Sequence, residues 1–445
     1  MQHLTPAVLR DITGGECMGD LSLQEITAIT TDSRAATPGC LFAAIPGARV
    51  DGHNFIEDVT RKGAACVLCN RFVEADIPQI KVPDTQQALK AIAAFYRSQF
   101  DIPFVGVTGS VGKTTAKEMI AAVLSKRLNT LKTEKNFNNE LGVPLTLFRL
   151  RREHDAAVVE MGISSFGEMT RLADMVHPDI AVFTVIGDAH LEFLGDRTGV
   201  LRAKTEMISG MPEDGIVIAN GDDPYLRDYK FGRRTIRFGF DETCDVRAVD
   251  IENDGFTGIC CTILAGGRRI AVKIPAFGRH MVYAALMGAA VGLELGLTDE
   301  EIRDGVAAYE TVGSRGRVIS AGGMTILDDC YNANPTSCQS SMDSLVMLPG
   351  KPVAILGDML ELGESGSVLH KLLGEYAASL GIRVIACGLL SRNTAEGAGG
   401  DSLWFSDTDS LLKKLPLLVG DGDCVLVKAS HAMNFEAVVK ALQER

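Results

Sequence analysis

The stretch from Phe104 to Thr115, FVGVTGSVGKTT, holds the side chains and the spacing that phosphate chemistry asks for. Phe104, Val105 and Val107 read as a short apolar strand, and Ala116 to Leu128 reads as a helix. Between them, Gly109 and Gly112 let the backbone turn tightly around Ser110 and Val111. Successive N–H groups and the helix start then converge on an anion. Lys113 brings a mobile cation to the terminal phosphates, Thr114 offers a hydroxyl to Mg²⁺, and Thr115 closes the loop. The full G-x-x-x-x-G-K-[ST] pattern wants glycine at position 107, where Val107 stands. The stretch is therefore a variant phosphate loop, T-G-S-x-G-K-T-T, between a strand and a helix.

Two further groups belong to the same chemistry. Ala156 to Val159 is an apolar strand ending in Glu160, and Ile180 to Ile186 is another, followed by Gly187-Asp188-Ala189-His190. Ligands of open α/β sheets collect beyond the carboxyl ends of the strands, so Glu160 and His190 are expected on the rim that carries the loop. One hydroxyl, one carboxylate and substrate phosphates make a hard-cation site, and an imidazole is admissible at a second position. Lys204 lies in the helical run Val200 to Ser209, where the pattern alone makes it a solvated lysine without a role.

Elements that position these groups follow from the rest of the chain. With 445 residues the length prior is about three domains. Residues 1–100 read as a small α/β unit, closed by an amphipathic helix from Gln86 to Phe100 and a hinge at Asp101-Ile102-Pro103. Residues 101–313 alternate strand and helix as a mostly parallel sheet does, with a β-rich antiparallel extension over 231–275. Residues 314–445 repeat the alternation without a second phosphate loop. The fold class is thus α/β in three domains.

Composition narrows the function. A net charge of −13 argues against nucleic acid, whose phosphates need clustered Lys and Arg. Eleven scattered cysteines form no framework and read as reduced, buried thiols. Cys66-Val67-Leu68-Cys69 has C-x-x-C form inside an apolar strand and reads as two core thiols. No signal pattern or membrane span is expected, so the chain is expected in the cytoplasm.

Several long motifs, in order, resemble the Mur ligases: TGSVGKTT at 108–115, KNFNNELGVPLTL at 135–147, EMG at 160–162, GDAHLEFLG at 187–195, DDCYNANPTS at 328–337, ILGDMLELG at 355–363 and VLVKASHAM at 425–433. The NFNNE and YNANP stretches favour members that join D-alanyl-D-alanine to UDP-N-acetylmuramoyl-tripeptide. The resemblance implies an ATP-dependent peptide ligase acting through an acyl phosphate, as a monomer, with ATP and two Mg²⁺. It implies an N-terminal UDP-precursor domain, a central ATPase and a C-terminal Rossmann-like domain that swings to close the site. Thr114 and Glu160 would hold one Mg²⁺, and His190 would serve the second. Lys204 matches a lysine that relatives carry as a carbamate.

The resemblance also places Arg317, Asp329 and Asn332 at the nucleotide, with Tyr331 and Asn334 on the same loop. Ser33, Arg34, Asp51, Gly52 and His53 match the uridine-nucleotide region, and Asn138 and Asn139 lie in the substrate-facing NFNNE stretch. Two departures stand out. Met281 and Ala284 occupy positions where the family often has asparagines near adenine, and His431 replaces an arginine. The competing readings are a sister Mur ligase, a folate polyglutamate synthase-like amide ligase, and a noncatalytic nucleotide-binding module. A guanine-specific switch would carry N-K-x-D, which is missing.

Overall fold

The computed structural model describes residues 1–445 apart from 2, 22–24, 48–49, 254–257 and 445. Three sheets follow one another along the chain, each mixed α/β with mainly parallel strands. The first runs in the order Glu16–Met18, Gln79–Lys81, Cys66–Cys69, Leu41–Ala43, Ile29–Thr30, with only the outer pair Glu16–Met18 and Gln79–Lys81 antiparallel. Its closing helix, Thr85–Arg97, is capped by Asp84, whose carboxylate accepts the N–H groups of Gln86 and Gln87. Cys66 packs with Leu41 and Ile80 on one side of the sheet, and Cys69 with Phe42 and Ile77 on the other. Three residues apart on a strand, the two point to opposite faces. Burial pushes their thiols up to about 12 and about 11, so both are inert packing groups.

The second sheet has nine strands in the order Arg268–Ile274, Ile259–Ala265, Val246–Asn253, Arg234–Gly239, Ile216–Asn220, Ile180–Phe183, Phe104–Thr108, Ala156–Glu160, Thr130–Lys132. The strand Phe104–Thr108 is central and wholly buried, as its unbroken apolar run requires. It pairs in parallel with both neighbours, setting Val107 beside Glu160 and beside Val182. The phosphate loop and Glu160 therefore leave adjacent strands at one level. The antiparallel extension is narrower than 231–275. Arg234–Gly239 pairs in parallel on both sides, and antiparallel pairing starts with Val246–Asn253. A two-residue Gly266-Gly267 turn, both residues at positive φ, supplies the hairpin that reverses direction.

The third sheet runs Arg317–Ala321, Met324–Asp328, Asp423–Lys428, Lys351–Gly357, Arg383–Cys387, Leu403–Phe405, with the first pair alone antiparallel. Two local boundaries differ from the sequence pattern. The helix after the phosphate loop starts at Lys113 rather than Ala116, because Gly112 at φ 79 completes the turn and leaves Lys113 free to be helical. The strand Ile180–Phe183 ends three residues early, releasing Thr184 to Asp188 as a loop over the phosphate loop.

Candidate active site

A cleft of about 890 Å³ opens where the phosphate loop, the rim of the second sheet and the first loop of the third sheet meet. Ser110 to Thr115, Glu160 and His190 line it from one side, and Asp329, Asn332 and Lys428 from the other. Its floor is the loop itself. Gly109 passes so close to Thr184 that a Cβ there would lie 1.9 Å from the Thr184 hydroxyl. That hydroxyl donates to the Val111 carbonyl at 2.5 Å, and the Ser110 hydroxyl bonds to Gly187 as donor (3.1 Å) and acceptor (2.9 Å). The loop is thus fixed to residues 184–187 before any ligand arrives.

Lys113 folds back to donate to the Gly109 carbonyl at 2.8 Å. Burial lowers its ammonium below the ordinary value, with Glu160 opposing and Arg315 adding to the shift. Glu160, 2% exposed, accepts from the Thr114 hydroxyl at 2.9 Å and from Asn138 Nδ2 at 2.8 Å. The buried Lys117 lies 3.8 Å away and also meets Glu118 at 3.0 Å. Lys117, one helical turn beyond Lys113, was not singled out from sequence; the K-x-x-x-K spacing was its signal.

Among the described residues, no three His, Cys, Asp or Glu side chains converge on a metal position. What the site offers is a hydroxyl beside one carboxylate, the donor set of a Mg²⁺ that draws its other ligands from phosphates and water. His190 holds its Nδ1 2.5 Å from Oε2 of Glu361, a residue of the third sheet's ILGDMLELG loop. Burial, then Lys204 and Lys113, lowers its imidazole pKa, against the pull of Glu361. The pairing orients the ring and leaves Nε2 for another partner. The expected solvated Lys204 is instead 1% exposed, and burial together with Lys113 holds its pKa well below the ordinary value. Its helix, Arg197–Thr205, lies with Val200, Leu201 and Ala203 in the core, which draws Lys204 inward.

On the far wall, Asp329 accepts from Lys428 and from the Ser341 hydroxyl, both at 2.5 Å, while Lys428 also donates to the Asn332 carbonyl at 3.0 Å. The sequence pattern assigns Lys428 no role, since 99 residues separate it from Asp329. Asn334 lines the cleft, but its Oδ1 caps the helix Pro335–Leu345 by accepting from Ser337 N–H. Asn139 likewise accepts from Leu141 and Gly142 N–H groups at the start of the helix Gly142–Leu147. Arg317 does not line the cleft: it is exposed on the strand Arg317–Ala321, and Arg315 lines the cleft in its place. Arg315 and Gly316 belong to the segment before that strand, which lines the cleft, whereas Arg317 is the strand's first residue.

The remaining wall is a less polar slot formed by Phe277, Tyr283, Ala284 and Met287, beside Asn220 and Asp222. Tyr283 donates to Asp222 at 2.9 Å. Met281, by contrast, is buried in the core.

The N-terminal candidates lie outside this cleft. Arg34 pairs with Asp32 at 2.7 Å, with its side chain 89% exposed. Ser33 offers its carbonyl to Lys62 at 2.7 Å. Asp51 joins the buried His53 (2.7 Å) and Arg71 (2.7 Å), and those partners hold its carboxyl far below the ordinary range. Gly52 packs under Ile45, where a Cβ would sit 2.7 Å from the Ile45 amide nitrogen.

Three family descriptions match successive parts of the chain: "Mur ligase family, catalytic domain" over 25–97, "Mur ligase middle domain" over 107–292 and "Mur ligase, glutamate ligase domain" over 314–431. The UDP-N-acetylmuramoyl-tripeptide--D-alanyl-D-alanine ligase of Escherichia coli K12 is 38% identical, over 100% of this chain and 99% of its own. The chain belongs to the Mur ligase family. A crystal structure of MurF from Acinetobacter baumannii superposes on this Mur ligase with TM-score 0.93 at 32% identity, over 99% of each chain. The MurF ligase from Thermotoga maritima in complex with ADP superposes with TM-score 0.83 at 32% identity, over 94% of this chain and 97% of that one. The expected α/β fold in three domains and the ATP-dependent ligase class both hold for this Mur ligase. Among its described residues, no helix is long and apolar enough to cross a membrane.

Proposed function

We propose that this Mur ligase joins D-alanyl-D-alanine to UDP-N-acetylmuramoyl-tripeptide at the expense of ATP, in peptidoglycan precursor synthesis. The observation that carries the reading is the full-length likeness to ligases of that name, together with one cleft bearing the phosphate loop, Glu160 and the Asp329–Lys428 pair. A carboxylate is a poor electrophile. The terminal carboxylate of the tripeptide takes the γ-phosphoryl group of ATP, releasing ADP, and the dipeptide amine displaces phosphate from the acyl phosphate so formed. Lys113 and the loop N–H groups neutralise charge on the transferring group, and the cleft walls hold the reactants in line away from water.

Thr114 and Glu160 would hold Mg²⁺, and His190 through Nε2 would serve a second ion. Bound there, the metal would supply charge neutralisation on phosphate oxygens. Burial and the nearby Lys113 hold the Lys204 pKa well below the ordinary value, which favours the neutral amine whose lone pair can attack carbon dioxide. That forms an N–C bond, releases a proton and yields a carbamate. A carbamate beside Lys113 and His190 would place an anion among the cations there. The base fits the slot at Phe277, Tyr283 and Met287, with Ala284 in the wall in place of an asparagine. Asp329 and Asn332 would meet the nucleotide from the C-terminal side, and Arg317 would do so only after a domain movement. The uridine nucleotide is assigned to Ser33, Arg34 and the loop Asp51-Gly52-His53, and Asn138 and Asn139 to the substrate side of the phosphate loop. The domains are 1–100, 101–313 and 314–445, in a cytoplasmic monomer.

Phosphate release from ATP tests this, with UDP-tripeptide present and D-alanyl-D-alanine compared against single amino acids. Release with a matching mass gain for the dipeptide alone is expected. Release with a diamino acid or glutamate would move the protein to a sister ligase, and no release with any acceptor would refute the ligase reading.

A further inference from the structure

Residues 190–192 of the central domain and 361–363 of the C-terminal domain form a seam beside the cleft. The Glu192 N–H donates to the Glu361 carbonyl at 3.2 Å, and a Cβ at Gly363 would lie 3.2 Å from the Glu192 Cα. Leu191 packs against buried side chains of both domains. The Glu361 carboxylate completes the seam by meeting His190 Nδ1 at 2.5 Å. His190 and Glu361 are both held in the left-handed region, at φ 56 and φ 61, where residues other than glycine are uncommon. Of the seven non-glycine residues at positive φ among those described, these two face each other. Such conformations persist where the surroundings over-determine them, and they gather at functional sites.

The two side chains stand on opposite sides of the imidazole's task. His190 lines the cleft, whereas Glu361 is outside it, behind the ring. A carboxylate at Nδ1 accepts the proton there and leaves Nε2 bare, so the tautomer and the ring direction are both set from the C-terminal domain. Among the described residues, no other hydrogen-bond partner meets the ring. A domain displacement of about 1 Å already takes this 2.5 Å contact beyond ordinary hydrogen-bond length.

Resting on the ligase reading above, we infer that Glu361 is a positioning residue that ties His190 to the docked position of the C-terminal domain. With the domain docked, Nε2 is aimed into the cleft as an acceptor. With the domain displaced, the ring loses its partner and is free to turn. The ligand whose chemistry fits Nε2 is a divalent cation on the nucleotide phosphates. It binds more tightly in the docked arrangement and, by linkage, favours docking by the same factor. The Glu361 side chain is half exposed, so its replacement strands no buried charge and the fold should tolerate it.

Glu361→Ala and Glu361→Gln are compared with wild type in phosphate release and in Mg²⁺-dependent binding of a non-hydrolysable ATP analogue by calorimetry. Small-angle scattering records the compaction that follows when the analogue and Mg²⁺ bind. In the alanine variant kcat should fall about 10–100-fold, and the Mg²⁺ needed for half-maximal analogue binding should rise about tenfold, as for loss of an outer partner of a metal-binding imidazole. Compaction should weaken in parallel, while the KM for the UDP-tripeptide stays within about twofold. Glutamine offers an acceptor oxygen at the same reach, so that variant should recover to within about fivefold of wild type. Alanine with unchanged Mg²⁺ dependence and compaction would overturn the inference, and so would a glutamine variant as impaired as alanine. A lowered melting temperature with kcat and Mg²⁺ dependence unchanged would overturn it too, reducing Glu361 to a packing contact. If wild type released no phosphate with any acceptor, the ligase reading would fail instead. The binding and scattering arms would still decide the role of Glu361.

Discussion

Replacing Glu160 by glutamine isolates the charge of one side chain while keeping its shape. The carboxylate accepts from Thr114 and Asn138 and lies 3.8 Å from Lys117, all in a position 2% exposed. Glutamine retains one acceptor oxygen and turns the other position into a donor. Thr114 can then accept while Asn138 still donates, so both charge-assisted bonds become neutral and the stability cost is about 1–3 kcal/mol. Lys117 does not become an orphaned buried cation, because Glu118 stays at 3.0 Å. The chemistry should suffer more. The anionic donor beside the Thr114 hydroxyl is gone, and loss of such a group is expected to lower kcat/KM on the order of 10²–10³-fold, about 3–4 kcal/mol of transition-state stabilisation. The assay is phosphate release with tripeptide and dipeptide across a Mg²⁺ titration, with a thermal melt as the fold control. The variant should need more Mg²⁺ and plateau lower. Turnover within about threefold of wild type at equal Mg²⁺ would refute the role given to Glu160.

Other perturbations test separate parts of the argument. Gly109→Ala puts a Cβ 1.9 Å from the Thr184 hydroxyl at φ 151, so nucleotide affinity should fall about tenfold or more, and Thr184→Ala in the same chain should restore part of it; unchanged ATP binding would show the loop is not fixed there. Labelled bicarbonate should give Lys204 a carbamate carbon signal that Lys204→Met lacks, and an identical spectrum for both would rule the modification out. His370 is buried and neutral: its Nε2 accepts the Met359 N–H at 3.0 Å and its Nδ1–H donates to the Gly366 carbonyl at 2.7 Å. Burial lowers its pKa, so the unfolded chain takes up the proton first. Stability is then full above the ordinary imidazole pKa and declines as pH falls through it toward the folded value. Amide protection of Met359 should weaken between about pH 7 and about pH 5, and His370→Asn should flatten that slope. Protection independent of pH in wild type would contradict this.

Local sequence was sufficient wherever the chemistry is local. Strand, glycine turn and lysine occupy twelve consecutive residues, and the backbone geometry they require admits few other readings, so the phosphate loop was legible at once. Glu160 was legible from its place at the end of an apolar strand, because parallel pairing brings strand ends to one rim. The side chains' surroundings were a different matter. Lys204 read as solvated on its helix and is buried, since the packing of that helix against the core depends on residues far along the chain. Glu361 meets His190 across 171 positions, and Lys428 meets Asp329 across 99. Arg315 and Arg317 are two residues apart and of the same type, yet one faces the cleft and the other solvent. A sequence determines which groups are available and the local backbone they sit on. Which of them share a low-dielectric cleft, lose their water and shift their charge is set by long-range packing, and only the tertiary structure decided that here.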